Sequence, residues 1–117
     1  MKKNYICTKI KQNQRGILKK GVKYMIIGLC TVKLRIPMAQ SLKDKRKVLK
    51  SLLQKGKNKF NIAIAEVDQN DLWQSSTIAF VTITNDISYL DRLLDKVINF
   101  IADFNGVQMI DYSIEHL

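Results

Sequence analysis

The chain has few of the residues from which active sites and metal centres are usually built. It contains two cysteines and one histidine in 117 residues. Cys7 and Cys30 make no disulfide framework, and their separation suits no metal site. His116 stands beside the C-terminus without a cysteine or serine close to it in sequence, so catalysis by it is not expected. Neither a phosphate-binding glycine loop nor a dinucleotide fingerprint occurs. No apolar run reaches membrane-spanning length, because the stretch from Met25 is broken by Lys33 and Arg35. A secretory signal would need a longer apolar region and a small-residue cleavage site. The expectation is therefore a cytoplasmic protein that is not an enzyme, with no cofactor, no metal and no membrane association. Cys30, in an apolar strand pattern, is expected to be a small buried hydrophobe.

Acid is also missing where base is abundant. The formal net charge is +10, and the first 24 residues hold eight cations (Lys2, Lys3, Lys9, Lys11, Arg15, Lys19, Lys20, Lys23) and no acid. Removing those eight leaves +2 for residues 25–117, so the arrangement of charge there says more than its sum. Residues 1–24 show no sustained apolar period and are expected to be a basic extension without order or an upstream mis-start. Lys20-Gly21-Val22-Lys23-Tyr24-Met25 back-translates to an AAGGAG-like stretch just ahead of an ATG, which favours a start at Met25. The alternative is a basic arm for nucleic acid or anionic lipid. Residues 25–117, with 46% of the whole chain hydrophobic, suffice for one domain with one core.

From Met25 onward the hydrophobic period changes element by element. Ile26 to Ile36 alternates as a strand and is ended by Pro37. Ser41 is placed to cap a helix, with Asp44 three residues on and Leu42, Val48, Leu49, Leu52 and Leu53 as its apolar stripe. Phe60 to Val67 and Thr77 to Thr84 read as strands around the turn residues Asp68 to Asp71. Asn85-Asp86 caps a second helix, whose stripe is Ile87, Leu90, Leu93, Leu94, Val97, Ile98 and Ile101. Asn105-Gly106 stops it, and Val107 to Ile114 is a last strand. The order β-α-β-β-α-β predicts an α+β, ferredoxin-like two-layer sandwich, with a four-stranded antiparallel sheet and both helices on one face. In the first strand Ile27, Leu29, Thr31, Lys33 and Arg35 point away from the helices. The middle strands carry apolar residues in both phases, so a second copy or another partner is expected over the open face.

Ser41 to Lys59 holds eight basic residues and one acid. On a helical wheel Lys43, Arg46, Lys47, Lys50 and Lys57, with Gln54, fan out opposite the leucines. Mixed charge serves solubility and helix stability better than one sign, so this bias points to a phosphate-tracking face. Lys45 falls on the apolar stripe instead. Its expected state is a packed stem with the ammonium reaching water; the alternative pairs it with Glu66, or with an anion held also by Arg35 and the amides after Ser41. Glu66, Asp68 and Asp71 match no calcium loop and read as turn chemistry beside a packed Trp73. Ala79-Phe80-Val81-Thr82-Ile83 covers only the middle of an RNA-recognition signature and reads as core. Pro37 to Gln40 lacks the glycine-rich anion loop of an acylphosphatase.

The segments MIIGLCTVKLRIP, SLKDKRKVLKSLL, FNIAIAEVDQNDLWQ and TND, all between Met25 and Asp86, resemble the YlxP-like family of small bacterial proteins of unknown function. The likeness extends over Met25–Leu117. It implies a ferredoxin-like fold, a usual start at Met25 and a gene neighbourhood of translation and ribosome maturation. It transfers no catalytic residue. Together these readings predict a domain that binds RNA or ribosomal particles through its basic helix, or alternatively a homodimeric interaction module built on the open sheet face.

Overall fold

A computed structural model describes the backbone of Lys2–Tyr5 and all of residues 25–117. The elements are β1 (Lys2–Tyr5), β2 (Ile26–Arg35), α1 (Leu42–Lys59), β3 (Ala63–Asp68), β4 (Ser75–Thr84), α2 (Ile87–Ala102) and β5 (Gln108–His116). The sheet order is β1-β5-β2-β4-β3, and the pairs β5–β2, β2–β4 and β4–β3 are antiparallel. Those four strands and two helices make the ferredoxin-like sandwich that the sequence predicts. β1 adds a fifth strand, parallel to β5, which the sequence pattern of the first 24 residues does not foreshadow. The remaining expectation for residues 1–24 lies outside the described residues.

Each boundary has a local cause. Ser41 Oγ accepts from the Asp44 amide at 3.0 Å, and Asp44 Oδ2 accepts from the Gln40 amide at 3.0 Å, so two otherwise orphaned donors at the start of α1 are satisfied. Asp86 Oδ1 does the same for Ser88 and Tyr89 at the start of α2. The strand expected from Phe60 begins later, at Ala63. The Phe60 amide still donates to Gly56 and the Ile62 amide to Phe60, which occupies those residues in ending the helix. Gly106 sits at φ +99, a conformation that favours glycine, and turns the chain from α2 into β5.

Burial resolves the two-phase strands. Ile64, Ile78, Phe80 and Ile114 face the helices and are buried with Cys30, Val32 and Leu34 of β2, against Leu49 and Leu52 of α1 and the α2 stripe from Leu90 to Ile101, while Ile87, expected to begin that stripe, is exposed. Area bookkeeping gives roughly 1.5–3 kcal/mol for each such side chain, which fixes strand register because a one-residue slip would expel the set. The other phase, Ile27, Leu29, Ala63, Ala65, Ala79, Val81 and Ile83, lies on the open face.

Candidate nucleic-acid interface

α1 lies on the sheet through Leu49 and Leu52, so its opposite side is set by the 3.6-residue period. Lys43, Arg46, Lys47, Lys50 and Lys57 are all exposed on that crest. Among the described residues no carboxylate lies within salt-bridge range of any of them; Glu66 pairs with Lys45, and Asp91 lies 3.9 Å from His116. The crest separates two grooves. One, about 440 Å³, runs toward β3 between Arg46, Lys50, Lys57 and Glu66 over Leu49 and Leu53. The other, about 640 Å³, runs toward α2 between Lys47, Lys55 and Lys59 on one wall and Phe100 and Phe104 on the other.

Lys45 corrects the expectation of an ammonium in water. Its side chain is 1% exposed, with Nζ 2.9 Å from Glu66 Oε2 and donating to the Gln69 carbonyl at 2.6 Å. Ser76 Oγ donates to the same Glu66 oxygen at 2.6 Å. Gln69 is held at φ 63, and its side-chain oxygen accepts from Thr77 Oγ1 at 3.2 Å. The lysine therefore fastens α1 to β3 and to the turn after it. Of the three residues considered for an anion pocket, Ser41 is engaged as the cap, Lys45 as this internal ion pair, and Arg35 ends β2 exposed on the open face. Asp68 Oδ1 accepts from the Gln69 amide, the expected turn chemistry. Trp73 departs from expectation: it is 53% exposed rather than packed.

The side chains outside these sites are accounted for by burial. Cys30 is buried, and burial pushes its thiol up from 9.0 to about 12, so it remains neutral. His116 is buried on the inner face of β5, 3.9 Å from Asp91. Among the described residues no three histidine, cysteine or acidic side chains are grouped to hold a metal ion. No helix there is long and apolar enough to cross a membrane. Phe80 points into the core, so it is not a ring on which a base could stack at the open face.

Sequence reasoning missed the rings on the helical side. Phe60 and Phe100 meet edge to face at 5.5 Å, and Phe100 and Phe104 at 5.8 Å. Lys59 Nζ lies 5.6 Å from the Phe60 ring and 5.5 Å from Phe100, and Lys55 Nζ lies 5.6 Å from Phe104. The signal was present as two four-residue spacings, Lys55–Lys59 and Phe100–Phe104. Neither belongs to the cationic crest or to the α2 stripe, which is why neither stood out.

Comparison with known proteins gives a family but no activity. A family model described as a protein of unknown function, DUF503, matches residues 27–114. The uncharacterized protein YlxP of Bacillus subtilis (strain 168) is 32% identical over 83 residues, covering 71% of this chain and 90% of that protein. Among solved structures, a C-terminal segment of the alpha subunit of aIF2 from Pyrococcus abyssi is similar with a TM-score of 0.48 at 9% identity, over 82% of this chain and 55% of that one. The de novo designed protein Foldit4 has a TM-score of 0.46 at 9% identity, over 80% and 96% respectively. The chain belongs to the DUF503 family, the YlxP-like proteins.

Proposed function

We propose that this is a non-enzymatic, cytoplasmic domain that binds RNA or ribosomal particles through the crest of α1. The observation that carries the reading is the row of five exposed cations, Lys43, Arg46, Lys47, Lys50 and Lys57, with no carboxylate partner among the described residues. A solvated helix would be more stable with acids interspersed at four-residue spacing. Phosphates supply the missing counter-charge, and binding would be driven by counterion release with little base preference. The test is anisotropy of a labelled ribosomal RNA fragment across a salt series. The full chain is compared with its K43E/R46E/K47E/K50E variant, so that the cations of residues 1–24 are common to both. Loss of four phosphate contacts flattens the log–log salt slope by about 3. An unchanged slope in a variant with native circular dichroism overturns the reading.

A second reading is favoured by the open sheet face. Ile83 is 59% exposed and Val67 55%, beside Ile27, Leu29 and Val81. The polar part of the same face carries both signs, Lys33 and Arg35 on β2 and Asp111 and Glu115 on β5. A two-fold axis can bring such a set against its own copy, as an isologous interface requires. The occupant would be a second copy of this chain. Light scattering at low micromolar concentration should give a dimer that Ile83→Glu dissociates; a wild-type monomer excludes a tight interface.

A further inference from the structure

We infer that the RNA is single-stranded, and that its bases stack along a track of rings beside the α1 crest; this rests on the reading of α1 as a phosphate-binding element. The track begins in the groove between α1 and α2, where Phe100 and Phe104 are only half-buried although they adjoin the core. It continues past Lys59 into a further groove of about 350 Å³ that carries Phe60, Tyr89, Arg92 and Lys96. Tyr89 is 42% exposed. Rings and cations therefore interleave over two consecutive grooves, the composition that single-strand binders use: stacking faces for bases, charges for the phosphates between them.

The lysines in these grooves already report the chemistry of the ring faces. Lys55 and Lys59 hold their ammonium groups within 5.6 Å of ring centroids, an arrangement worth little where water competes. An entering base takes the ring face, while the flexible lysine stem lets the ammonium follow the adjacent phosphate. Asp103, exposed on the wall of the first groove, repels a phosphate there, and with the neighbouring exposed Asn105 it offers hydrogen-bonding groups to a base edge. Phosphates are thereby directed to the crest and bases to the groove. A duplex keeps its bases stacked inside and can use only the crest.

The experiment uses the full chain, a labelled single-stranded RNA of about twelve nucleotides and a duplex of the same length. Phe104→Leu and Phe100→Leu remove the ring but keep an apolar side chain. Together they should weaken single-strand binding about tenfold or more, leave duplex binding within twofold and leave the salt slope unchanged. Single-strand affinity within twofold of wild type in the folded double variant overturns the inference while leaving the α1 reading intact. Absence of binding to either RNA at low salt overturns both. Should the leucine variant lose its fold, F104W in a W73F background tests stacking directly. Its fluorescence should be quenched by the single strand and not by the duplex, and no quenching overturns the inference.

Discussion

Removing Glu66 should destabilise the fold more than removing its partner Lys45. The two side chains differ in what their loss leaves behind. Lys45 is 1% exposed and Glu66 18%. In Glu66→Ala the ammonium stays buried, with the Gln69 carbonyl as its remaining acceptor from this set. An uncompensated buried charge of this kind costs about 3–5 kcal/mol. In Lys45→Met the stem is replaced nearly isosterically. The carboxylate keeps the Ser76 hydroxyl at 2.6 Å and part of its contact with water, while the Gln69 carbonyl loses a donor. That leaves about 1–3 kcal/mol. The double variant K45M/E66A, with neither charge, should be more stable than Glu66→Ala alone, giving a non-additive cycle. Urea unfolding followed by circular dichroism measures all four proteins. A Glu66→Ala cost below about 1 kcal/mol, or a greater cost for Lys45→Met, refutes the assignment of this pair as a buried charge clamp between α1 and the β3–β4 turn.

Two further predictions concern the core. A Cβ on Gly28 would lie 2.7 Å from Leu90 Cδ1 and 3.3 Å from its Cγ, and Leu90 is fully buried. Gly28→Ala should therefore cost about 1–3 kcal/mol by chemical denaturation, with partial recovery in G28A/L90V; stabilisation by the alanine would refute the close approach of α2 to β2. The second concerns alkaline pH. Folded Cys30 keeps its proton up to about 12, against an ordinary value of 9.0. Between those limits the unfolded chain gives up a proton that the folded one retains, so stability falls as pH rises through the window and is unaffected below it. The fall in urea midpoint between pH 8 and pH 10 should be smaller in Cys30→Ala; an equal fall in both proteins refutes the burial argument.

Element order and inner faces were legible because each rests on a strong periodic signal. The α2 stripe from Leu90 to Ile101 is buried as its spacing requires, and Ser41 and Asp86 cap the helices they precede. β3 and β4 were ambiguous for a physical reason: Ala63, Ala65, Ala79 and Val81 are as apolar as the residues between them, and only pairing to β2 decides which phase meets the helices. Lys45 was legible as an oddity on the stripe. Glu66 was named only as the alternative partner and Gln69 not at all, because both are brought to it by the packing of α1 on β3 and the left-handed turn at Gln69. The candidate interface divides in the same way. The crest cations follow from the wheel, whereas the rings beside them come from three separate segments, the end of α1, α2 and the loop after it. β1 was invisible, since four polar-rich residues gain strand structure only from the free edge of β5.

The sheet stands between the two proposed surfaces, and this makes the readings compatible rather than rival. The crest of α1 and the ring track lie on the helical side; Ile27, Leu29, Val81 and Ile83 lie on the other. A dimer closed through the open faces would leave both α1 crests uncovered and directed away from each other. A short single strand held on one crest and its track could not bend back to the second, so its affinity should be the same for dimer and monomer. A long RNA can engage both crests, and the second contact then forms at the effective concentration set by the first. Dimerisation would thus be expressed as a preference for length, not as tighter binding to any one site. Ile83→Glu, which removes the apolar centre of the open face without touching α1, separates these effects. Its expected signature is unchanged binding of a twelve-nucleotide strand and weakened binding of a long RNA. Loss of short-strand affinity in that variant would show that the open sheet face itself takes part in holding the RNA, contrary to the placement of the site on the helices.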